Sequence, residues 1–552
     1  MAGKHLRHIL ILFVLSYFFL IFGNGLMSLT NPDEVFYAQT TKEMSQHKSW
    51  LTPYLFGAPQ FEKPVLLYWL VRAGSALFGN PSFAARFFPA LFGCFGVIAV
   101  YLLAFMGFRD EKKAFVSSLI LLSSGLYIGL SRTLFTDMIF SILILFSLVS
   151  FYWGYSRNEK KGAGIILFFM FSALAVLTKG PLGFLIPSLI VLMFLFLRKD
   201  ARFLLCTCSL WGLGIFIAVA FPWYIFMIST YGASFTHEFF YNDHIRRFLT
   251  AEHPGNDTWY FYPSSMIGCM FPWSLYVLAA LIVLFMRLRR ERSVFSIFLL
   301  SWIAVVFIIF QSAHSKLVSY VFPAFPALAL IAGDYVFDAA SSNNRNRTFR
   351  LLSIFMAFVL FAIPVVAIFL APKYSSYLSS GTAPYAVISL LFILSAVFLF
   401  FVLRRWSMKA VLTLAFVLPA IWFIAPFARQ GIEPYVSSKL ASEYLVRNYQ
   451  VDNPIVCSKF FARGVRYYTD KDIVVLGTPK DFFSPHPITY LGSDEEITNY
   501  FRDQKVTFCI LEKSSVENIK RIAGETFKLS VLKTIGNEYV VEIGHGEAAP
   551  SR

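Results

Sequence analysis

Residues 31–68 read NPDEVFYAQTTKEMSQHKSWLTPYLFGAPQFEKPVLLY, a polar island directly behind the first apolar run of the chain. Asp33-Glu34 near its start and Glu62 near its end are the acids that stand out in it, with Lys63 beside the latter. A charge at the centre of a spanning helix costs roughly 2.5–3.5 kcal/mol on insertion scales, so acids are cheapest where a helix leaves the membrane and still faces a membrane cavity. The island thus has two readings. It is a solvated loop whose Asp33 caps a helix over Glu34 to Met44, or it is the rim of a functional cavity.

What surrounds it is greasy. Of 552 residues 57% are hydrophobic and 14% charged, 63 are Phe, and mean hydropathy is +0.63, far from a soluble average. The chain is an integral membrane protein. Its net charge of +16 comes from short Lys/Arg clusters between apolar runs. There is no continuous basic face of the kind that binds nucleic acid, so the charge reads as topology and contact with anionic lipid.

Lys4 and Arg7 precede an apolar run that continues to Met27 without a small-residue cleavage site, so it reads as a first spanning helix and not as a removed signal. Further runs of spanning length cover Phe83 to Phe105, Ala114 to Leu130, Met138 to Trp153, Gly164 to Leu177, Leu182 to Leu197 and Phe203 to Tyr224. A second series covers Ser264 to Phe285, Phe295 to Phe310, Leu317 to Tyr335, Leu351 to Leu370, Tyr385 to Leu403 and Val411 to Pro426. The expectation is a mainly α, polytopic protein with about thirteen spans.

Every second loop is cationic, among them Arg109/Lys112/Lys113, Arg157/Lys160/Lys161, Arg198/Lys199/Arg202 and Arg287/Arg289/Arg290/Arg292, and by the positive-inside rule these are cytoplasmic, with the N-terminus. The opposite, outer set holds the loops 31–82 and 225–263, Ser131 to Asp137, Lys179-Gly180-Pro181, Gln311 to Lys316, Ala371 to Pro384 and everything after Arg429. Residues 1–428 therefore read as the membrane domain and 429–552 as a small outer α/β domain. In the latter a helix is expected over Pro434 to Tyr449, with strands at Pro454 to Ser458, Ile473 to Leu476, Ile488 to Leu491, Val506 to Leu511 and Tyr539 to Ile543. The tail after Gly544 reads as disordered. Cys457 and Cys509 fall on two of these strands, where an oxidising compartment permits a disulfide whose pairing sequence cannot decide. No HExxH helix, Walker loop or dinucleotide fingerprint is present, so neither a nucleotide nor a redox cofactor is expected.

Several outer-face motifs remain. Asp137 opens a span in SRTLFTDMIF, where an N-cap is the plain reading. Lys179 tips the turn Thr178-Lys179-Gly180-Pro181, where the plain reading is snorkelling. Asn242 to Phe248 gathers Asp243, His244, Arg246 and Arg247 in one short segment. Lys316 and Tyr320 stand at i and i+4, on one helix face if the span begins there. Lys63, Arg247, Lys316 and Lys179 are cations on the side the positive-inside rule disfavours, so a compensating, lipid-borne anion is expected. Arg suits bidentate phosphate recognition and Lys a point charge. The physical reading is a phosphate-gripping, carboxylate-containing cavity on the outer face, which by itself names no reaction.

The series Asp33-Glu34 with Tyr37 and Ala38, Phe61-Glu62-Lys63-Pro64 with Tyr68-Trp69, Asp137, Thr178-Lys179-Gly180, Phe221-Pro222-Trp223, His244-Ile245-x-Arg247-Phe248, Tyr260-x-Tyr262-Pro263, and Lys316 with Tyr320 and Pro323 resembles the lipid A aminoarabinose transferase family. That family lies within the GT-C superfamily of polyprenyl-phosphate-sugar glycosyltransferases, which also holds the protein O-mannosyltransferases. FEKP and HIxRF are the more specific motifs. Where the family pattern runs DETRYAE, this chain has Val35-Phe36 and Gln39, so one cation and one anion are missing near the sugar site.

The resemblance implies a GT-C fold and transfer of an amino sugar, first of all 4-amino-4-deoxy-L-arabinose, from undecaprenyl phosphate to a phosphate of lipid A at the periplasmic face of the bacterial inner membrane. It implies Asp33 and Asp137 as catalytic carboxylates, and Lys63, Arg247, Lys316 and Tyr320 as the grip on the donor phosphate. Glu34, Tyr37, Glu62, Lys179 and His244 are then substrate-binding residues. Glu62 and His244 also offer donors to a divalent metal cation, at a spacing diagnostic of none. A GT-C enzyme acting on protein or polysaccharide is the alternative within the superfamily. A lipid or solute transporter is the alternative outside it, although no internal repeat relates the two halves of the chain.

Overall fold

The computed structural model describes residues 2–291, 293–342, 346–370, 373, 383–424, 429–478, 486–523 and 527–544. Among these, ten helices are long and apolar enough to cross a membrane, and eleven if Glu111–Leu122 and Gly125–Ser131, bent by 66° at a short break, count as one span. The expected thirteen is reached when two shorter helices are counted as spans as well. Leu182–Arg198 and Ser274–Arg290 have 17 residues each, about 25 Å at helical rise against a hydrocarbon core near 30 Å. The run expected from Ser264 is broken as well, since Phe261–Gly268 ends before a turn and a new helix starts at Ser274.

Close approach in the bundle relies on small residues. Helix Thr136–Ser156 packs along Lys161–Lys179 at Gly154 and Gly164, where a Cβ on Gly164 would come within 2.6 Å of the Ser150 carbonyl oxygen. With no hydrophobic force between helices in lipid, such backbone contact is what holds them together.

The segment 225–263, expected as a loop, is helical over its first half. The helix from Thr207 continues to Phe235, with one non-helical residue at Gly232, and passes into a π-helical stretch Thr236–Arg246. The first loop is ordered by helix Asp33–Gln46, the short hairpin of β1 (Tyr54–Leu55) and β2 (Ala58–Pro59), and helix Leu66–Leu77. Glu43 ties the first of these helices to the hairpin turn by accepting from Gln39 Nε2 at 2.6 Å and from the backbone N–H groups of Phe56 and Gly57.

Beyond residue 428 the chain forms a six-stranded sheet in the order β5-β4-β3-β6-β8-β7, from β3 (Ile455–Ser458), β4 (Ile473–Leu476), β5 (Thr489–Leu491), β6 (Val506–Leu511), β7 (Lys528–Ile535) and β8 (Glu538–Gly544). The first four in that order run parallel, and β8 and β7 are antiparallel additions. The helix expected over Pro434 to Tyr449 is two, Arg429–Val436 and Lys439–Asn448. Cys509 lies opposite Val456, one residue out of step with Cys457. Side chains alternate across a sheet, so the two thiols face opposite sides and both are free. The tail after Gly544 lies outside the described residues.

Candidate active site

Helix Asp33–Gln46 starts behind Pro32, and no side-chain capping bond is made at its N-terminus. Asp33 is exposed, is the first residue of the helix, and sits within electrostatic reach of Tyr37 one turn on. Its neighbour is the reverse. Glu34 is fully buried and accepts from Arg86 Nε at 2.7 Å, from the Leu134 backbone N–H at 2.8 Å, and from the Thr30 N–H and hydroxyl at 3.0 and 2.8 Å. Burial alone would raise the Glu34 pKa, but the Arg86 guanidinium and the backbone donors outweigh it and hold the group below the ordinary range. Glu34 thus bolts the first loop to the second span. It has no oxygen left for substrate, which corrects its assignment as a substrate-binding residue.

Lys63 and Arg247 converge on Asp243. Lys63 Nζ lies 2.9 and 3.1 Å from the two Asp243 oxygens, and Arg247 reaches Asp243 Oδ1 at 2.9 Å and Glu252 Oε2 at 3.2 Å. The Lys63 and Asp243 side chains are only 11% and 7% exposed. Glu62 stands within electrostatic reach of Arg247 and of Tyr68. A second knot forms where Asp137 Oδ1 takes Lys179 Nζ at 2.7 Å and that ammonium sits 4.7 Å from the Tyr320 ring centroid. Neither the capping reading of Asp137 nor the snorkelling reading of Lys179 describes this buried pair. Tyr320 feels Arg247, Asp243 and Asp137 together, and Tyr37 feels Asp137 and Asp33. The two knots and Asp33 therefore share one neighbourhood.

Lys316 is placed differently. Its backbone abuts the cluster, since the Ser315 N–H donates to the Arg247 carbonyl at 3.1 Å. Its ammonium, however, is held by Asp257 at 3.0 Å and the Thr258 carbonyl at 3.2 Å, with His314 on the same carboxylate at 2.8 Å. Leu317 is extended and Val318–Ala324 is a 3-10 helix, so Lys316 and Tyr320 do not share an α-helical face. His244 turns its Nδ1 to the Phe239 carbonyl at 2.7 Å and is also hydrogen-bonded to the Lys179 carbonyl. Its ring fills the space left by Gly180, which has φ +90° and whose added Cβ would come within 2.5 Å of Nε2. With both ring nitrogens facing carbonyls, His244 does not fit a metal site with Glu62. Among the described residues no three His, Cys, Asp or Glu side chains are grouped as metal ligands.

Of the carboxylates that hold the cations, sequence reasoning noted Asp243 in its segment without giving it a role, and it missed Glu252 and Asp257. Only Asp243 carried a signal, its i, i+4 spacing to Arg247. It also missed Arg86, which lies inside an apolar run.

Residues 6–237 match the family model described as dolichyl-phosphate-mannose-protein mannosyltransferase. The chain is 30% identical over 334 residues to the undecaprenyl phosphate-alpha-4-amino-4-deoxy-L-arabinose arabinosyl transferase 1 of Pseudomonas fluorescens, 60% of this chain. The match spans 59% of that relative's length. An uncharacterized protein of Aquifex aeolicus is 28% identical over 455 residues, covering 82% of this chain and 84% of the relative. The fold superposes on the crystal structure of ArnT from Cupriavidus metallidurans bound to undecaprenyl phosphate with a TM-score of 0.77 at 18% identity, over 98% of each chain. It superposes more loosely, at TM-score 0.53 and 13% identity over 92% of this chain and 69% of the other, on an archaeal oligosaccharyltransferase from Archaeoglobus fulgidus in complex with an inhibitory peptide and a dolichol-phosphate. This multi-pass membrane protein is thus similar in sequence to the undecaprenyl-phosphate aminoarabinose transferases and, over residues 6–237, to the protein mannosyltransferase family model, and it has the fold of the ArnT crystal structure.

Proposed function

We propose that the chain is a glycosyltransferase moving an amino sugar, first of all 4-amino-4-deoxy-L-arabinose, from undecaprenyl phosphate to a phosphate of lipid A on the periplasmic face of the inner membrane. The observation that carries this reading is the convergence of Lys63 and Arg247 on one buried carboxylate, beside exposed Asp33. In the step, an acceptor phosphate oxygen forms a bond to the anomeric carbon. The bond from that carbon to the donor phosphate oxygen breaks, and its electron pair stays on undecaprenyl phosphate. Charge therefore develops on a lipid phosphate, where cations that grip it more tightly in the transition state lower the barrier. Lys63 and Arg247 take this role, and Lys179 with Tyr320 flanks them.

A phosphate acceptor is already anionic near neutral pH and needs no general base. Asp33 then orients the acceptor or holds the sugar amine, and Asp137 acts through Lys179. The outer placement follows the cation pattern of the loops.

Purified protein is supplied with the lipid-linked amino sugar and lipid A, and lipid A is weighed by mass spectrometry. The expected result is a mass gain equal to one sugar residue, lowered about 100-fold or more by Lys63→Ala, the scale of losing one transition-state donor. Transfer to a protein or polysaccharide acceptor instead, or movement of lipid without a covalent product, overturns the reading.

A further inference from the structure

The outer domain brings one more guanidinium to the same rim. Arg463 is the second residue of helix Ala462–Thr469 and is half-buried. Its Cζ lies 4.5 Å from the centroid of the Phe36 ring, and it is within electrostatic reach of Tyr68, His486 and Tyr490. Phe36 follows Asp33 by three positions on one helix, so the two share a face about 4.5 Å apart along the axis. Glu62 borders the same space, since it is felt by Tyr68, by His486 and by Arg247.

This placement is built. The Gly464 backbone lies so close to Asn31 that a Cβ would strike Asn31 Oδ1. Tyr468 donates to the Leu29 carbonyl at 3.1 Å, and Lys42 donates to the Tyr467 carbonyl at 3.3 Å. The helix is therefore clamped on both sides of Asp33, and Arg463 has a fixed base.

Arg463 differs from the cluster cations in one respect. Lys63, Lys179, Arg247 and Lys316 are each held by a carboxylate, whereas no carboxylate among the described residues lies within salt-bridge distance of Arg463. A guanidinium stacked on a ring keeps its in-plane N–H groups for hydrogen bonds and matches phosphate bidentately. The transfer proposed above brings two phosphates together, one leaving and one attacking, and the second needs a cation of its own.

We infer that Arg463 is the grip for the attacking phosphate: it binds the phosphate of a glycolipid acceptor and sets that phosphate beside Asp33. This assignment rests on the glycosyl-transfer reading, and it makes the outer domain part of the acceptor site.

The test uses the full-length protein in lipid nanodiscs. The probes are diphosphorylated lipid A and the same glycolipid with its phosphates removed. Arg463→Ala is expected to raise the acceptor KM at least tenfold with the donor KM unchanged, and to weaken equilibrium binding of phosphorylated lipid A, measured without donor, by a similar factor. Arg463→Lys recovers part of the loss and also serves if the alanine variant does not fold. The dephosphorylated glycolipid binds wild type and variant equally weakly. Transfer at the wild-type acceptor KM in Arg463→Ala overturns the role and leaves the transfer reading standing. Arg463-dependent binding of phosphorylated lipid A without any covalent product supports the grip and removes the transfer reading. Wild type that neither binds nor modifies lipid A overturns both.

Discussion

Asp33 and Glu34 are adjacent acids with opposite environments, one exposed and one fully buried against Arg86. Removing Glu34 leaves a guanidinium uncompensated in the interior, which costs about 3–5 kcal/mol. Glu34→Ala is thus expected to melt far below wild type, while Asp33→Asn melts like wild type and loses at least 100-fold in turnover. Thermal unfolding and sugar transfer measured on the same preparations separate the two, and equal melting of both variants contradicts the division. Sequence alone treated the pair as one acidic site, because burial is decided by Arg86, 52 positions away. Asp243 was noted in its segment but given no role, for a related reason. Its value lies in Lys63, 180 positions earlier, as much as in Arg247 on its own helix. Asp243→Asn removes the carboxylate those two cations share and leaves Lys63 without its ion-pair partner. The expected outcome is a lower melting temperature together with a raised donor KM, and a variant with the wild-type value of both sinks the shared-carboxylate assignment.

Elements were legible where apolar runs are long and ambiguous where polar residues enter them. The helix from Thr207 was expected to end near Tyr224, since hydropathy falls there. The backbone instead continues through Gly232 and a π-helical stretch, and this is what delivers Asp243, His244 and Arg247 to the site. Lys316 and Tyr320 were paired on α-helical spacing that a 3-10 segment does not provide. Strand β7 was not anticipated, because Lys528–Ile535 is an edge strand with no buried residue that mixes four apolar residues with Lys528 and Lys533, and charged residues are how such edges are kept from pairing further. The turn at Lys179-Gly180 makes the element-level case most directly. Its glycine has φ +90° and makes room for the His244 ring. Gly180→Ala carries backbone strain of order 1–3 kcal/mol and drives the Cβ into the imidazole. It should lower both melting temperature and turnover. His244→Ala added to Gly180→Ala relieves the clash but not the strain, so the double variant melts above the sum of the two single losses. Strict additivity would mean that the ring and the glycine do not meet in solution.

At the scale of the whole molecule, the C-terminal domain is seated on the loop after the first helix by groups more than 400 positions apart in the chain. Glu433 accepts from the Ser28 N–H at 3.1 Å, Asn31 Nδ2 donates to Ser438 Oγ at 2.6 Å, and Ser438 in turn donates to Glu538 at 2.7 Å. Glu538, at the start of β8, is almost fully buried. Burial pushes its carboxyl from 4.5 up to about 8, against the opposing Ser438 hydrogen bond. A folded-state pKa above the unfolded one means that the native protein holds an extra proton between those two values. The stability this group contributes is complete below pH 4.5, falls as pH rises, and is gone once pH has passed about 8. Over that window the loss integrates to about 4–5 kcal/mol, concentrated where the sheet meets Ser438 and Asn31, two residues before Asp33. The wild-type protein is therefore expected to melt lower at pH 8.5 than at pH 5.5, with protease cleavage appearing in the 29–42 segment at the higher pH. Glu538→Gln, which has no proton to lose, should flatten both trends. A wild type whose melting and cleavage do not change between those pH values would show that Glu538 is ionised in the folded state, and that the seam above Asp33 is not held together by its proton.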